Sequence, residues 1–85
     1  MKAEYLPSFI KDLKALRGTP EERRIRKLVF DEIESLNTLE QLPGFKRLRG
    51  YRNAYQLRVG EYRVDGRTLT FARVLNRKDI YRYFP

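Results

Sequence analysis

Cysteine and histidine are both absent from the 85 residues of this chain. Without cysteine there is no disulfide framework, no thiol nucleophile and no zinc-binding cysteine cluster. Without histidine the chain lacks the usual general base near neutral pH and the commonest metal ligand. Long apolar runs are also missing, and the N-terminal sequence MKAEYLPSF has no signal-peptide core. We therefore expect a cytoplasmic protein that makes no contact with a membrane.

Positive charge is concentrated in the second half of the chain, and the net charge is +8. Residues 1–44 carry eight Lys and Arg side chains against eight Asp and Glu side chains, whereas residues 45–85 carry eleven against three. A basic half beside a neutral half indicates a face that binds a polyanion, and such a face would also attract an acidic protein partner. The alternative is a charged surface that only keeps the protein in solution.

Apolar spacing in the first half predicts one strand and two helices. Residues 2–6 alternate between apolar and polar side chains, as a short strand does. Pro7 opens a helix that ends at Gly18, and Thr19 with Pro20 opens a second helix with glutamates in its first turn. Each helix carries one apolar stripe, formed by Phe9, Ile10, Leu13 and Leu16 in the first and by Ile25, Leu28, Val29, Ile33 and Leu36 in the second. We expect the two helices to form an antiparallel hairpin.

After a loop at residues 37–44 the pattern becomes alternating, which predicts strands. The predicted strands are residues 45–49, 54–59, 61–64 and 68–75, with Asp65-Gly66 as the turn between the last two. The tail, NRKDIYRYFP, is short, charged and aromatic, and it fits one turn or a short helix. The predicted fold class is α+β: a single domain, residues 1–85, in the order β-α-α-β-β-β, with the helical hairpin packed on an antiparallel sheet.

A very tight hairpin is predicted by the sequence RVGEYR, residues 58–63. Glycine as the first residue of the turn Gly60-Glu61 suits a type II′ turn. In that register Arg58 lies opposite Arg63, on the sheet face that the helices do not cover. Like charges opposite each other across strands are unfavourable, whereas two neighbouring guanidinium groups bind phosphate oxygens well. The alternative is that both side chains extend into solvent, where screening makes the repulsion small.

Tyrosines are interleaved with the basic residues of the second half. Tyr51, Tyr55, Tyr81 and Tyr83 lie among arginines and lysines. Such a surface suits RNA, because cations bind phosphates and unstacked bases stack on aromatic rings. Core packing is the competing explanation, and we expect it to hold at least for Tyr55 and Tyr62.

Two motifs give the chain a family resemblance. The hairpin sequence YQLRVGEYRV and the later VLNRKDIYR, in the predicted order of elements, resemble the RelE toxins of bacterial toxin–antitoxin pairs. The likeness covers essentially the whole chain; it is strong in these motifs, while over the helices only the apolar pattern matches. It implies a ribosome-dependent endoribonuclease that cuts messenger RNA, with a cognate antitoxin that forms a hetero-oligomer with it. It implies no metal and no cofactor, because the 2′-hydroxyl of the RNA attacks the adjacent phosphate.

The resemblance also implies roles for individual residues. Arg63 matches an arginine that contacts the scissile phosphate, and Arg77 matches one that stabilises charge and is a candidate to protonate the leaving oxygen. Tyr81 matches a tyrosine that positions the attacking nucleotide. Arg58 replaces a lysine proposed as general base; arginine stays protonated, so it suits charge stabilisation better than proton acceptance. The remaining predicted RNA contacts are Lys46, Arg47, Arg49, Gln56, Lys78, Arg82 and Tyr83.

Further departures from the family pattern affect the expected rate of cleavage. Gln56 replaces a cation, Asn76 replaces a frequent histidine, and Asp65-Gly66 predicts a shorter final hairpin than in relatives. Gln56 and Asn76 leave open whether the enzyme is weakened. Two other functions also stay open: a ParE-like toxin that poisons DNA gyrase by protein contact, and an inactive module that only binds RNA or an antitoxin.

Overall fold

The computed structural model describes residues 3–79. In it the two helices begin at the residues that the sequence predicts. Helix α1 is Pro7–Ala15 and helix α2 is Pro20–Arg26. Thr19 caps α2, because its Oγ1 accepts a hydrogen bond from the backbone N–H of Glu22 at 3.1 Å. Gly18 has a φ of +90°, a backbone conformation that favours glycine, and it lies in the turn between the helices. The predicted helical hairpin is therefore confirmed.

The second helix is not regular over its full predicted length. A π turn at Lys27–Asp31 and a 3₁₀ turn at Glu32–Ser35 continue α2. Within the π turn, the carbonyl oxygen of Val29 accepts a hydrogen bond from the hydroxyl of Tyr5 in the first strand. Four residues of the predicted stripe are nevertheless buried in the core, namely Ile25, Leu28, Val29 and Ile33.

The described residues form one five-stranded sheet in the order β1-β5-β4-β3-β2. A short 3₁₀ turn, Leu39–Gln41, precedes β2. The strands are β1 (Glu4–Tyr5), β2 (Phe45–Arg47), β3 (Ala54–Val59), β4 (Tyr62–Arg67) and β5 (Thr70–Asn76). Strands β2 to β5 are antiparallel, as predicted, and β1 is added to β5 in parallel. The predicted α+β class and two-layer arrangement are confirmed. The order of elements is β-α-α-β-β-β-β, one strand more than the predicted order contains.

Beyond the end of β1, polar side chains of α1 form hydrogen bonds with the backbone of β5. Ser8 Oγ donates a hydrogen bond to the carbonyl oxygen of Ala72 at 2.6 Å, and the N–H of Val74 donates to Asp12 Oδ2 at 2.9 Å. Ser8 and Asp12 are four residues apart, so they lie on the same face of the helix. Helix α1 thereby satisfies backbone groups of β5 beyond the short strand β1.

The core lies between the helices and one face of the sheet. The sheet contributes Tyr55, Leu57, Val59, Val64, Phe71 and Val74, and the helical layer contributes Phe9, Leu13, Ile25, Leu28, Val29 and Ile33. The prediction that Tyr55 and Tyr62 pack with the core is confirmed, since Tyr55 is buried and Tyr62 is half-buried against it. Across residues 3–79, every helix is too short or too polar to cross a membrane.

The prediction that Asp65-Gly66 forms the last turn is wrong. Both residues lie inside β4, at a shift in its register with β5, and the chain turns at residues 68–69 instead. Gly66 lies opposite Tyr55, and a Cβ at this position would lie 2.5 Å from atoms of the tyrosine ring. Glycine is therefore needed here for packing, while Thr68, with a φ of +49°, takes the strained position in the turn. The last hairpin is longer than the sequence suggested.

Candidate functional site

The tight hairpin between β3 and β4 has the predicted geometry. Val59 pairs with Tyr62 and Arg58 with Arg63, so the turn is Gly60-Glu61. Of these two turn residues only Gly60 has a positive φ, +58°, as a type II′ turn requires. Because side chains alternate along a strand, Arg58 and Arg63 extend from the face opposite the core. The two guanidinium groups therefore belong to the same side of the sheet.

Both arginines line one cavity of ≈ 390 Å³ on this face. The cavity is lined by Gly44, Phe45, Lys46, Gln56, Arg58 and Arg63. Lys46 and Gln56 are register partners on β2 and β3. Three of the lining side chains are cationic, so the cavity is suited to an anion. This is the strongest concentration of predicted site residues in the part of the chain that the structure describes.

A close backbone approach forms one wall of the cavity. The N–H of Arg58 donates a hydrogen bond to the carbonyl oxygen of Gly44 at 3.0 Å. Gly44 has a φ of +75°, and a Cβ at this position would lie 2.4 Å from the carbonyl oxygen of Arg58. Only glycine allows the chain before β2 to lie this close to β3. Gly44 therefore helps to fix the strand from which Arg58 extends.

The two arginines differ in what they bind in the free protein. Arg63 Nη1 donates hydrogen bonds to the carbonyl oxygens of Gly60 and Tyr62, each at 3.0 Å. These bonds hold the guanidinium against its own turn, and its other N–H groups have no partner among residues 3–79. Arg58 is exposed, and its side chain has no hydrogen-bond or ion-pair partner among residues 3–79. The free cation and the fixed one therefore lie next to each other.

Arg77 is bound to the same turn, although it is not among the described residues that line the cavity. Its backbone N–H donates to the carbonyl oxygen of Glu61 at 2.8 Å. Its Nε lies 3.0 Å from Glu61 Oε2, and both side chains are more than half exposed. The turn Gly60-Glu61 thus holds Arg63 on one strand and Arg77 just after β5. Arg58, Arg63 and Arg77 therefore lie at or beside one hairpin, and the roles that the resemblance implies for them stay predictions.

The other predicted RNA contacts are dispersed. Lys46 lines the cavity, whereas Arg47 pairs with Glu40 and lies over the ring of Phe45. Alternation along β2 directs Arg47 away from the side of Lys46. Arg49 is exposed in the loop after β2. Tyr81, Arg82 and Tyr83 lie outside the described residues.

Asn76 and Lys78 meet in the turn that follows β5. Asn76 Oδ1 accepts a hydrogen bond from the N–H of Lys78 at 3.0 Å, and the carbonyl oxygen of Asn76 accepts one from the N–H of Asp79 at 2.8 Å. Asn76 thus stabilises the turn that carries Arg77. The Lys78 side chain is exposed there.

Asp65 is a buried acid on the same sheet face that the sequence interpretation missed. It pairs with Gln56 on β3 and with Arg73 on β5, and its carboxylate oxygens have no hydrogen-bond partner among residues 3–79. Burial raises the pKa of Asp65 to about 7; the charge of Arg73 acts to lower this pKa and that of Asp12 to raise it. Counting alternate residues from Arg63 would have assigned Asp65 to this face. The local Asp-Gly turn signal concealed it.

Carboxylates do not form a metal site in this region. Among residues 3–79 no three acidic side chains lie close enough together to hold a metal ion. Guanidinium and ammonium groups instead dominate the open cavity. Such an arrangement binds phosphate groups and stabilises negative charge that develops on them.

Comparison with known proteins agrees with the fold and the motifs. No family model matches the sequence. The chain is 43% identical to Toxin RelE3 of Methanocaldococcus jannaschii over an alignment 90 positions long, which spans 100% of both proteins. Its structure is similar to a chain in the crystal structure of a RelB–RelE antitoxin–toxin complex from Methanococcus jannaschii, with a TM-score of 0.78, 40% identity, and coverage of 98% of this chain and 100% of the other. With this identity over its whole length, the chain belongs to the RelE family of toxins.

Proposed function

We propose that this protein is the toxin of a toxin–antitoxin pair and that it cleaves messenger RNA on the ribosome, in the cytoplasm. The observation that carries the proposal is the cavity that Lys46, Arg58 and Arg63 share. Three cations around one cavity bind a phosphate, and they bind it more strongly as a hydroxyl attacks and negative charge accumulates. The fold relationship to a toxin that was crystallised with its antitoxin supports the toxin assignment.

The proposed reaction needs no nucleophile from the protein. The RNA 2′-hydroxyl attacks the adjacent phosphate; its bond to phosphorus forms as the bond to the 5′ oxygen breaks, leaving a 2′,3′-cyclic phosphate and a 5′-hydroxyl. Arg58 and Arg63 hold the non-bridging oxygens, Arg77 adds charge at the leaving side, and Tyr81 positions the attacking nucleotide. No metal takes part in the proposed mechanism.

Two protons must move in this reaction. The attacking hydroxyl loses one, and the departing oxygen gains one, for which Arg77 is the proposed donor. A guanidinium group serves in proteins as a cation and hydrogen-bond donor, so we assign Arg58 and Arg63 charge stabilisation and not proton acceptance. We propose that a ribosomal RNA group accepts the proton from the hydroxyl, which explains why cleavage would depend on the ribosome. Efficient cutting of naked RNA by the purified protein would contradict this step.

The same cavity suggests how an antitoxin would neutralise the protein. A partner that covers Arg58 and Arg63 removes the phosphate site without altering the fold. An acidic segment fits this surface best, because residues 45–85 carry the whole net positive charge of the chain. The proposed partner is therefore a protein with an acidic segment that lies across the cavity in a hetero-oligomer.

Expression in growing cells tests the proposed function. We expect growth arrest, with messages cut only while they are translated. Arg63→Ala should slow cleavage by about a hundredfold or more, because a preorganised donor to the phosphate is lost. Lys11→Ala removes an exposed positive charge from α1 and serves as the matched control. Growth arrest with intact messages and broken DNA would instead support a gyrase poison, and undiminished cleavage by Arg63→Ala would refute the role of the cavity.

A further inference from the structure

Glu61 already provides an anion for Arg77 in the free protein. The Nε of Arg77 lies 3.0 Å from Glu61 Oε2, and the pair is at the turn that also holds Arg63. Glu61 is one of only three acidic residues between 45 and 85. A carboxylate next to an arginine that would act on RNA reduces the charge available to a phosphate.

Glu61 contacts Arg77 in two ways, through its backbone carbonyl and through its side-chain carboxylate. The backbone bond from the N–H of Arg77 to the carbonyl oxygen of Glu61, 2.8 Å long, already fixes the chain at this point. A substitution of the Glu61 side chain leaves this bond in place. The carboxylate is therefore not needed to hold the backbone of Arg77 near the turn, and its effect falls on the guanidinium group itself.

We propose that Glu61 is an internal competitor that an RNA phosphate displaces from Arg77, and that it thereby limits the affinity of the site for RNA. This inference rests on the proposed function. Both side chains are more than half exposed, at 55% and 64%, so the carboxylate is free to move into solvent when a phosphate arrives. If it stayed, two anions would share one guanidinium group and repel each other.

Binding of a 2′-O-methyl RNA oligonucleotide, which resists cleavage, tests the competition directly. We expect Glu61→Gln to tighten binding about two- to fivefold at low salt, the range that corresponds to an exposed ion pair. The gain should shrink as salt is added, because screening weakens exposed charges. Unchanged or weaker binding by Glu61→Gln overturns the proposal, since weaker binding would mean that the carboxylate orients Arg77.

A matched control separates a local effect from a general change of charge. Glu4→Gln removes the same charge from an exposed side chain of β1, which lies beside the start of β5 and so at the opposite end of that strand from Arg77. We expect it to change RNA affinity less than Glu61→Gln does. Equal gains in the two variants would mean that only net charge matters, and they would overturn the proposal.

The double variant distinguishes this inference from the proposed function. Arg77→Ala should weaken RNA binding, and Glu61→Gln should have no further effect in that background, because the carboxylate acts through Arg77. If neither Arg63→Ala nor Arg77→Ala weakens binding, the proposed RNA site is wrong. If both weaken it and Glu61→Gln alone does not tighten it, only the competition is wrong.

Discussion

Replacing the buried acid Asp65 by asparagine should remove a strong dependence of stability on pH. The Asp65 carboxyl is fully buried on β4, and within the described part of the chain its oxygens have no hydrogen-bond partner. Arg73 and Asp12 are the charged groups that act on it, with opposite effects on its pKa, and Gln56 lies opposite on β3. Burial is the largest influence, so the protonated form is favoured in the folded protein.

The size of the effect follows from the pKa of Asp65 in the two states. It is about 3.9 in the unfolded chain and about 7 in the folded protein. Each pKa unit corresponds to about 1.4 kcal/mol, so ionisation in the folded state costs about 4 kcal/mol. Below about pH 4 both states are protonated and the cost is absent. Between about pH 4 and 7 only the unfolded chain releases the proton, so the free energy of unfolding falls as pH rises.

Urea unfolding followed by circular dichroism, at several pH values, measures this difference. Relative to wild type, Asp65→Asn should gain about 4 kcal/mol in the free energy of unfolding between about pH 4 and 8. Asp31→Asn removes an exposed carboxyl and controls for the general effect of charge. If wild type and Asp65→Asn differ by the same amount at both ends of the pH range, Asp65 has an ordinary pKa in the folded protein and the reasoning is refuted.

Three further predictions concern local contacts, each measured as the free energy of unfolding. Gly44→Ala should destabilise the fold by more than Gly50→Ala. Gly50 has a φ of +84°, similar to the +75° of Gly44, but no atom lies within 4 Å of its new Cβ. The backbone strain common to both substitutions is about 1–2 kcal/mol, and equal losses of stability would mean that the backbone at Gly44 relaxes. Tyr5→Phe should cost about 1–2 kcal/mol, because it removes the hydrogen bond to the carbonyl of Val29, and an unchanged value would mean that water replaces the hydroxyl. Thr19→Ala should cost about 1 kcal/mol through loss of the α2 cap, while Thr19→Ser should retain most of it.

Short sequence patterns correctly predicted the helix cap and the tight turn, because both depend on residues that are neighbours in the sequence. The cap at Thr19 and the turn at Gly60-Glu61 depend on neighbouring residues, and both are confirmed. The pairing of Arg58 with Arg63 followed directly from that turn. Half of the residues that line the candidate cavity, namely Gln56, Arg58 and Arg63, could therefore be derived from the sequence of one hairpin.

Features set by distant residues could not be derived in this way. Gly66 is required by the ring of Tyr55 on the neighbouring strand, so its Asp-Gly context indicated a turn that does not form. The approach of Gly44 to Arg58 depends on how β2 is added to the sheet. The ion pair of Glu61 with Arg77 joins two residues that are separated in the sequence by strands β4 and β5, and no local pattern encodes it.

Helix α1 blocks part of one edge of the sheet, the edge along β5 beyond β1, against the addition of another polypeptide. An open strand edge offers unpaired backbone groups to which a second chain can add, and this leads to fibres or to exchange of strands between copies. Beyond the end of β1, Ser8 and Asp12 already bind groups of β5 that a foreign strand would need. Folded copies of the protein are thereby protected from pairing with one another along this part of β5.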